Sequence, residues 1–67
     1  MQPRYPDIQV RMHSRNPYAM VSAVRSALRL SRVDADEIRR FTDEAMSEDE
    51  PLHVRSVCCS WADIQIA

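Results

Sequence analysis

No glycine occurs anywhere in the 67 residues, and that absence limits the turns this chain can make. A position needing positive φ must be filled by Asn, Asp or another residue under strain, or avoided altogether. A glycine-rich phosphate loop is excluded as well. Lysine is also missing, so all nine basic side chains are arginine. Codon bias in a GC-rich genome accounts for that as well as chemistry does, although the planar guanidinium fork suits phosphate and carboxylate binding. A chain this short is one domain, near the lower limit for folding without a metal, disulfides or a partner. Its 45% hydrophobic and 28% charged residues place it among globular domains rather than disordered tails.

The chain divides into five segments after an arm. Residues 1–7 hold two of the four prolines and read as an extended, mobile arm, leaving residues 8–67 as the domain. Ile8 to Met12 alternates apolar and polar residues, the period of a half-buried strand. Asn16-Pro17 is a helix start, with Asn as N-cap and Pro at the first helical position, where its missing N–H is not needed. From Pro17 to about Leu30, Met20, Val21, Val24, Ala27 and Leu28 form an apolar stripe, with a small-residue row of Ala19, Ala23 and Ala27 beside it.

Val33-Asp34-Ala35-Asp36-Glu37-Ile38 is the sharpest local signal. Asp34 is placed to cap, Glu37 to close a capping box, and Val33 and Ile38 to form a hydrophobic staple. The second helix starts there, buries Ile38, Phe41, Ala45 and Met46, and ends near Ser47. Glu48-Asp49-Glu50-Pro51 opens a third helix that buries Val54, Val57, Cys58 and Trp61. Trp61 is its core anchor, and Tyr18 reads equally well as core or surface. Ala62, Ile64 and Ile66 then alternate with Asp63 and Gln65, a short strand. The two strands should pair with each other, since a lone exposed strand is unstable. The predicted fold class is α+β: a small single domain, β-α-α-α-β, with three helices packed on a two-stranded ribbon.

The segments Asn16-Pro17-Tyr18-Ala19, Val24-Arg25-Ser26-Ala27-Leu28-Arg29, Glu37 to Ala45 and Cys58-Cys59-Ser60-Trp61 resemble a group of short bacterial and phage-borne proteins of strand–three-helix–strand pattern. The similarity runs over residues 8–66. It implies the same architecture and no settled activity. One departure concerns the third helix, which such sequences tend to open after a glycine, where this chain has Asp49-Glu50-Pro51.

Charge is distributed unevenly. Residues 1–32 carry six arginines against Asp7 alone, a net of +5, while residues 33–67 carry three arginines against nine carboxylates, a net of −6. Such asymmetry favours an anionic partner on the basic side or docking onto a charged protein surface. Arg25, Arg29 and Arg32 recur at spacings of four and three, so they share a face, with Ser22 and Ser26 nearby and Arg4, Tyr5 and Arg11 as additions from the N-terminal arm. Arg25, Arg29, Arg32, Arg11 and Ser22 form the candidate binding surface. Its bland alternative is a solvated face paired with the protein's own acidic second helix. The acidic run Asp43, Glu44, Glu48, Asp49 and Glu50 is a mirror candidate for a basic partner.

Catalytic chemistry finds little support. His53 and Cys58 stand five apart on one helix, about 140° apart around its axis. No Cys-x-x-Cys or His-Glu-x-x-His spacing occurs, so no metal, cofactor or catalytic residue is expected. Adjacent Cys58 and Cys59 are too strained a pair for a structural disulfide. A helix-turn-helix over residues 17–46 is disfavoured, because Asp34, Asp36 and Glu37 at the start of its second helix would repel DNA phosphates. No charge-free run is long enough to cross a bilayer, and residues 1–7 have no apolar core of a signal peptide. A cytoplasmic location is the expectation. The predicted function is a non-catalytic protein-interaction module with a charge-polarised surface; the alternative is a nucleic-acid-binding accessory protein using the first-helix arginines. Two open ribbon edges, neither interrupted by proline over residues 8–12 or 62–66, also suggest a weak homodimer.

Overall fold

The computed structural model describes residues 2–66; Met1 and Ala67, the outer ends of the expected arm and domain, lie outside them. The elements run β1 (Tyr5–Met12), α1 (Pro17–Leu30), α2 (Ala35–Ala45), α3 (Pro51–Trp61) and β2 (Ala62–Ile66). The order is β-α-α-α-β, as the periodicities require. The two strands pair in parallel, with Val10 opposite Ile64 and Met12 opposite Ile66. Parallel pairing needs a long crossover, and here the three helices supply it. Val10 and Met12 of β1 and Ala62 of β2 are buried under the helices, while Gln9, Arg11 and Gln65 face solvent.

Each helix begins on a local signal. The Asn16 side chain accepts from the Tyr18 N–H, with Pro17 directly behind it. Asp34 accepts from the Asp36 N–H at 3.0 Å. Glu50 accepts from both Leu52 and His53 N–H, and its backbone is extended at φ −138°. That start needs no positive φ, so the lack of a glycine before the third helix has no cost there.

The core gathers one stripe from each helix: Met20, Val21, Val24 and Leu28 from α1; Ile38, Phe41 and Ala45 from α2; Val54, Val57, Cys58 and Trp61 from α3. Trp61 is 3% exposed and meets the Phe41 ring edge-on at 5.6 Å between centroids, a favoured aromatic arrangement. Ala19, Ala23 and Ala27 are half-buried against this core, so the alanine row belongs to the domain's own packing.

Four expectations need correction. The strand begins at Tyr5 rather than Ile8, inside the stretch read as a mobile arm, because Tyr5 lies against Trp61 with ring centroids 6.2 Å apart. Arg4 is also docked, its N–H donating to the Ser60 carbonyl at 2.9 Å. Pro6 therefore falls within β1, and the register shifts between Tyr5 and Gln9. A proline and an irregularity both discourage edge pairing, which removes the argument for dimerisation at that strand. The capping box is open: Glu37 turns away from Asp34 to bond Arg4 and Tyr5. Finally, α2 ends at Ala45, and Met46 is exposed rather than buried.

Candidate functional site

A helix places residues three and four apart on neighbouring parts of its surface. Ser22, Arg25 and Arg29 obey that spacing on α1, and all three are exposed. Arg32, expected to share that helical face, instead lies in the turn after α1, which ends at Leu30, and is exposed too. That turn is a Schellman motif, with the Val33 N–H bonded to the Leu28 carbonyl and the Arg32 N–H to that of Arg29. The motif needs one left-handed residue, normally glycine. With none in the chain, Arg32 takes φ 62°, a conformation that costs an ordinary residue roughly 1 kcal/mol.

The α1 arginines do not pair with the acidic second helix. Among the described residues the ion pairs are Arg4–Glu37 at 2.9 Å, Arg40–Glu37 at 3.8 Å and His53–Glu48 at 3.4 Å. Glu37, in the first turn of α2, is occupied by the N-terminal segment. Its Oε1 and Oε2 accept from Arg4 Nη2 and the Tyr5 hydroxyl. Arg4 also lies over the Trp61 ring, 5.0 Å from its centroid, a cation–π contact. Arg4 and Tyr5, expected to add to the first-helix arginine surface, are instead held here by Glu37 and Trp61, a pairing with distant residues that no local pattern shows.

Arg11 belongs to a different place. It lines a shallow cavity of about 290 Å³ with His13, Gln65 and Ile66 at the end of the ribbon. None of the α1 arginines lines it. The five residues of the expected surface are thus all exposed, with four on or beside α1 and Arg11 in its own cavity.

One further cluster was missed. Ser47 Oγ lies 3.1 Å from His53 Nε2, and Glu48 faces His53 Nδ1. The order serine–histidine–carboxylate suggests a hydrolytic triad, which requires Nε2 to accept the serine proton. Here Nε2 stands 2.9 Å from the Glu44 carbonyl oxygen, which can only accept, so Nε2 carries the hydrogen. The Ser47 hydroxyl donates to the same carbonyl at 2.8 Å. Both side chains satisfy a terminal carbonyl of α2, and the serine is not activated.

Cys58 is buried and Cys59 exposed, both as free thiols. Burial, reinforced by the neighbouring Cys59, pushes the Cys58 thiol up to about 11, which opposes a nucleophilic role. Tyr18 is exposed and donates its hydroxyl hydrogen to Asp49, which raises its pKa above the ordinary tyrosine value. Among the described residues, no group of three or more His, Cys, Asp or Glu side chains is placed to hold a metal ion, and no helix is long and apolar enough to cross a membrane. Compared with family models, curated proteins and solved structures, the chain shows no significant match.

Proposed function

We propose that this protein is a non-catalytic interaction module that docks onto an acidic protein surface through Arg25 and Arg29 of α1, with Ser22 beside them and Arg32 at the end of the face. One observation carries the reading. These arginines are exposed and make no ion pair with a described carboxylate, although the chain has ten carboxylates of its own. Exposed charges left unpaired on one face steer an oppositely charged partner and select against like-charged ones. The reading is of a cytosolic module, a compartment in which exposed thiols such as Cys59 stay reduced.

The test is an NMR titration of the whole chain with an Asp/Glu-rich peptide, and with single-stranded and duplex oligonucleotides, at low and moderate salt. Amide shifts confined to residues 22–32 on adding the peptide support the proposal. Tighter binding of an oligonucleotide, weakening steeply with salt, would move the reading to a nucleic-acid accessory protein. No binding of either kind at low salt would overturn both.

A further inference from the structure

In β1 the side chains of Gln9 and Arg11 face solvent, and His13 follows two residues beyond Arg11. Parallel pairing sets Gln65 directly opposite Arg11. Adjacent strands lie about 4.8 Å apart, and alternate residues of one strand about 6.6 Å. Strand pairing thus sets the Arg11 guanidinium beside the Gln65 carboxamide, and the imidazole of His13, in the bend just beyond β1, joins these two donors at the corner of the ribbon. They line the same cavity of about 290 Å³, with Ile66 as its apolar wall.

The charged side chains of the described residues that line this corner are of one sign. Among the described residues, Arg11 makes no ion pair and no side-chain carboxylate lines the cavity. Asp63 is the nearest acid in the ribbon, diagonal to Arg11 and opposite Gln9. Its Oδ2 accepts from Gln65 Nε2 at 3.4 Å, so it holds the amide rather than the guanidinium. Arg11 offers several donors in a fixed plane, and His13 and Gln65 add donors from other directions. A tetrahedral oxyanion can accept from all three, whereas a planar carboxylate presents its lone pairs in one plane. The cavity is at the small end of ligand sites, a size that suits a phosphate or a small phosphate monoester.

We infer that Arg11, His13 and Gln65 form an oxyanion site for phosphate or a small phosphate monoester, separate from the α1 face. Ile66 would lie against the carbon side of an ester. The proposal does not depend on the acidic-partner reading, because none of the α1 arginines takes part.

The experiment is an NMR titration of the whole chain with inorganic phosphate, glycerol phosphate and acetate at constant ionic strength. Saturable shifts confined to residues 11–13 and 63–66, with either phosphate species binding more tightly than acetate, support the site. Tighter binding of glycerol phosphate than of inorganic phosphate identifies the monoester, and the reverse order the free ion. Arg11→Gln should weaken phosphate about tenfold by removing a charge-assisted contact. Asp63→Asn should tighten it about two- to threefold by removing a negative charge about 7 Å away, the diagonal spacing of paired strands. Shifts spread equally over Arg25 and Arg29, acetate binding as tightly as phosphate, or an unchanged affinity in a folded Arg11→Gln variant would each overturn it.

Discussion

Arg4 closes on Glu37 from the far end of the chain, its Nη2 lying 2.9 and 3.0 Å from the two carboxylate oxygens across thirty-three residues of sequence. The contact fixes the N-terminal segment across Trp61 and occupies the α2 carboxylate that would otherwise complete the Asp34 cap. A long-range ion pair has thus taken a side chain from a local motif. The gain is a stacked arrangement of Arg4, Tyr5 and Trp61 that seals one side of the core.

Arg4→Ala should cost only about 0.5–1 kcal/mol, because the pair is partly exposed and water screens it. Its clearer signature is optical. Removing the guanidinium from the indole face should shift Trp61 emission to the red, as solvent reaches the ring. An unaltered emission spectrum in a folded Arg4→Ala variant would show that the segment does not cover Trp61 in solution.

Arg32→Gly should raise stability by about 1 kcal/mol, since glycine takes the left-handed turn position without the Cβ penalty. For a domain of this size that is a rise of roughly 4–8 °C in melting temperature. Thermal unfolding followed by circular dichroism reads it directly. A lower melting temperature would mean that Arg32 makes a stabilising contact outweighing its strain.

What was legible in the sequence was local. Asn16-Pro17, Asp34 and Glu50-Pro51 mark helix starts because a cap bonds N–H groups two or three residues away, within reach of any window of sequence. The stripes through Val24, Phe41 and Trp61 follow from helical period alone. The docking of Arg4 on Glu37 was not legible, because its partner is distant and its own surroundings, Pro3 and Pro6, resemble a loose arm. Strand direction was equally hidden: alternation at Ile8 to Met12 is the same for parallel and antiparallel ribbons. At the candidate surface, spacing identified the shared face of Ser22, Arg25 and Arg29. It could not show that Arg11 turns to a separate corner, since that depends on its pairing with Gln65.

The two cysteines should differ in reactivity. At pH 8 a disulfide-forming thiol reagent should label Cys59 and leave Cys58 untouched until the protein is denatured. The raised pKa of Cys58 also carries a sign. The folded state holds the thiol proton more tightly than the unfolded state, so this contribution to stability is present below the ordinary thiol value of 9.0 and is lost as pH rises through about 11. Equal labelling of both thiols in the native protein would show that Val57-Cys58 does not stay buried.

Tyr18 should titrate above the ordinary tyrosine value of 10.0, because ionisation breaks its hydrogen bond to Asp49 and sets two negative charges side by side. The bond's contribution is therefore present below the ordinary value and disappears as pH rises through the raised one. A difference in the ultraviolet titration between wild type and Asp49→Asn, with the variant's midpoint lower, is the expected result. Identical curves would place Tyr18 away from Asp49 in solution.

If the α1 arginines face a partner and not the protein's own carboxylates, removing them must weaken binding without disturbing the fold. The decisive measurement is the affinity of Arg25→Ala/Arg29→Ala for an Asp/Glu-rich peptide. Alanine is a good helix former, so the double variant should stay folded with an unchanged melting temperature. Its affinity at low salt should fall about tenfold relative to wild type, the loss of two exposed charge pairs. Equal affinity in wild type and variant would mean that the α1 face is solvated surface and docks nothing.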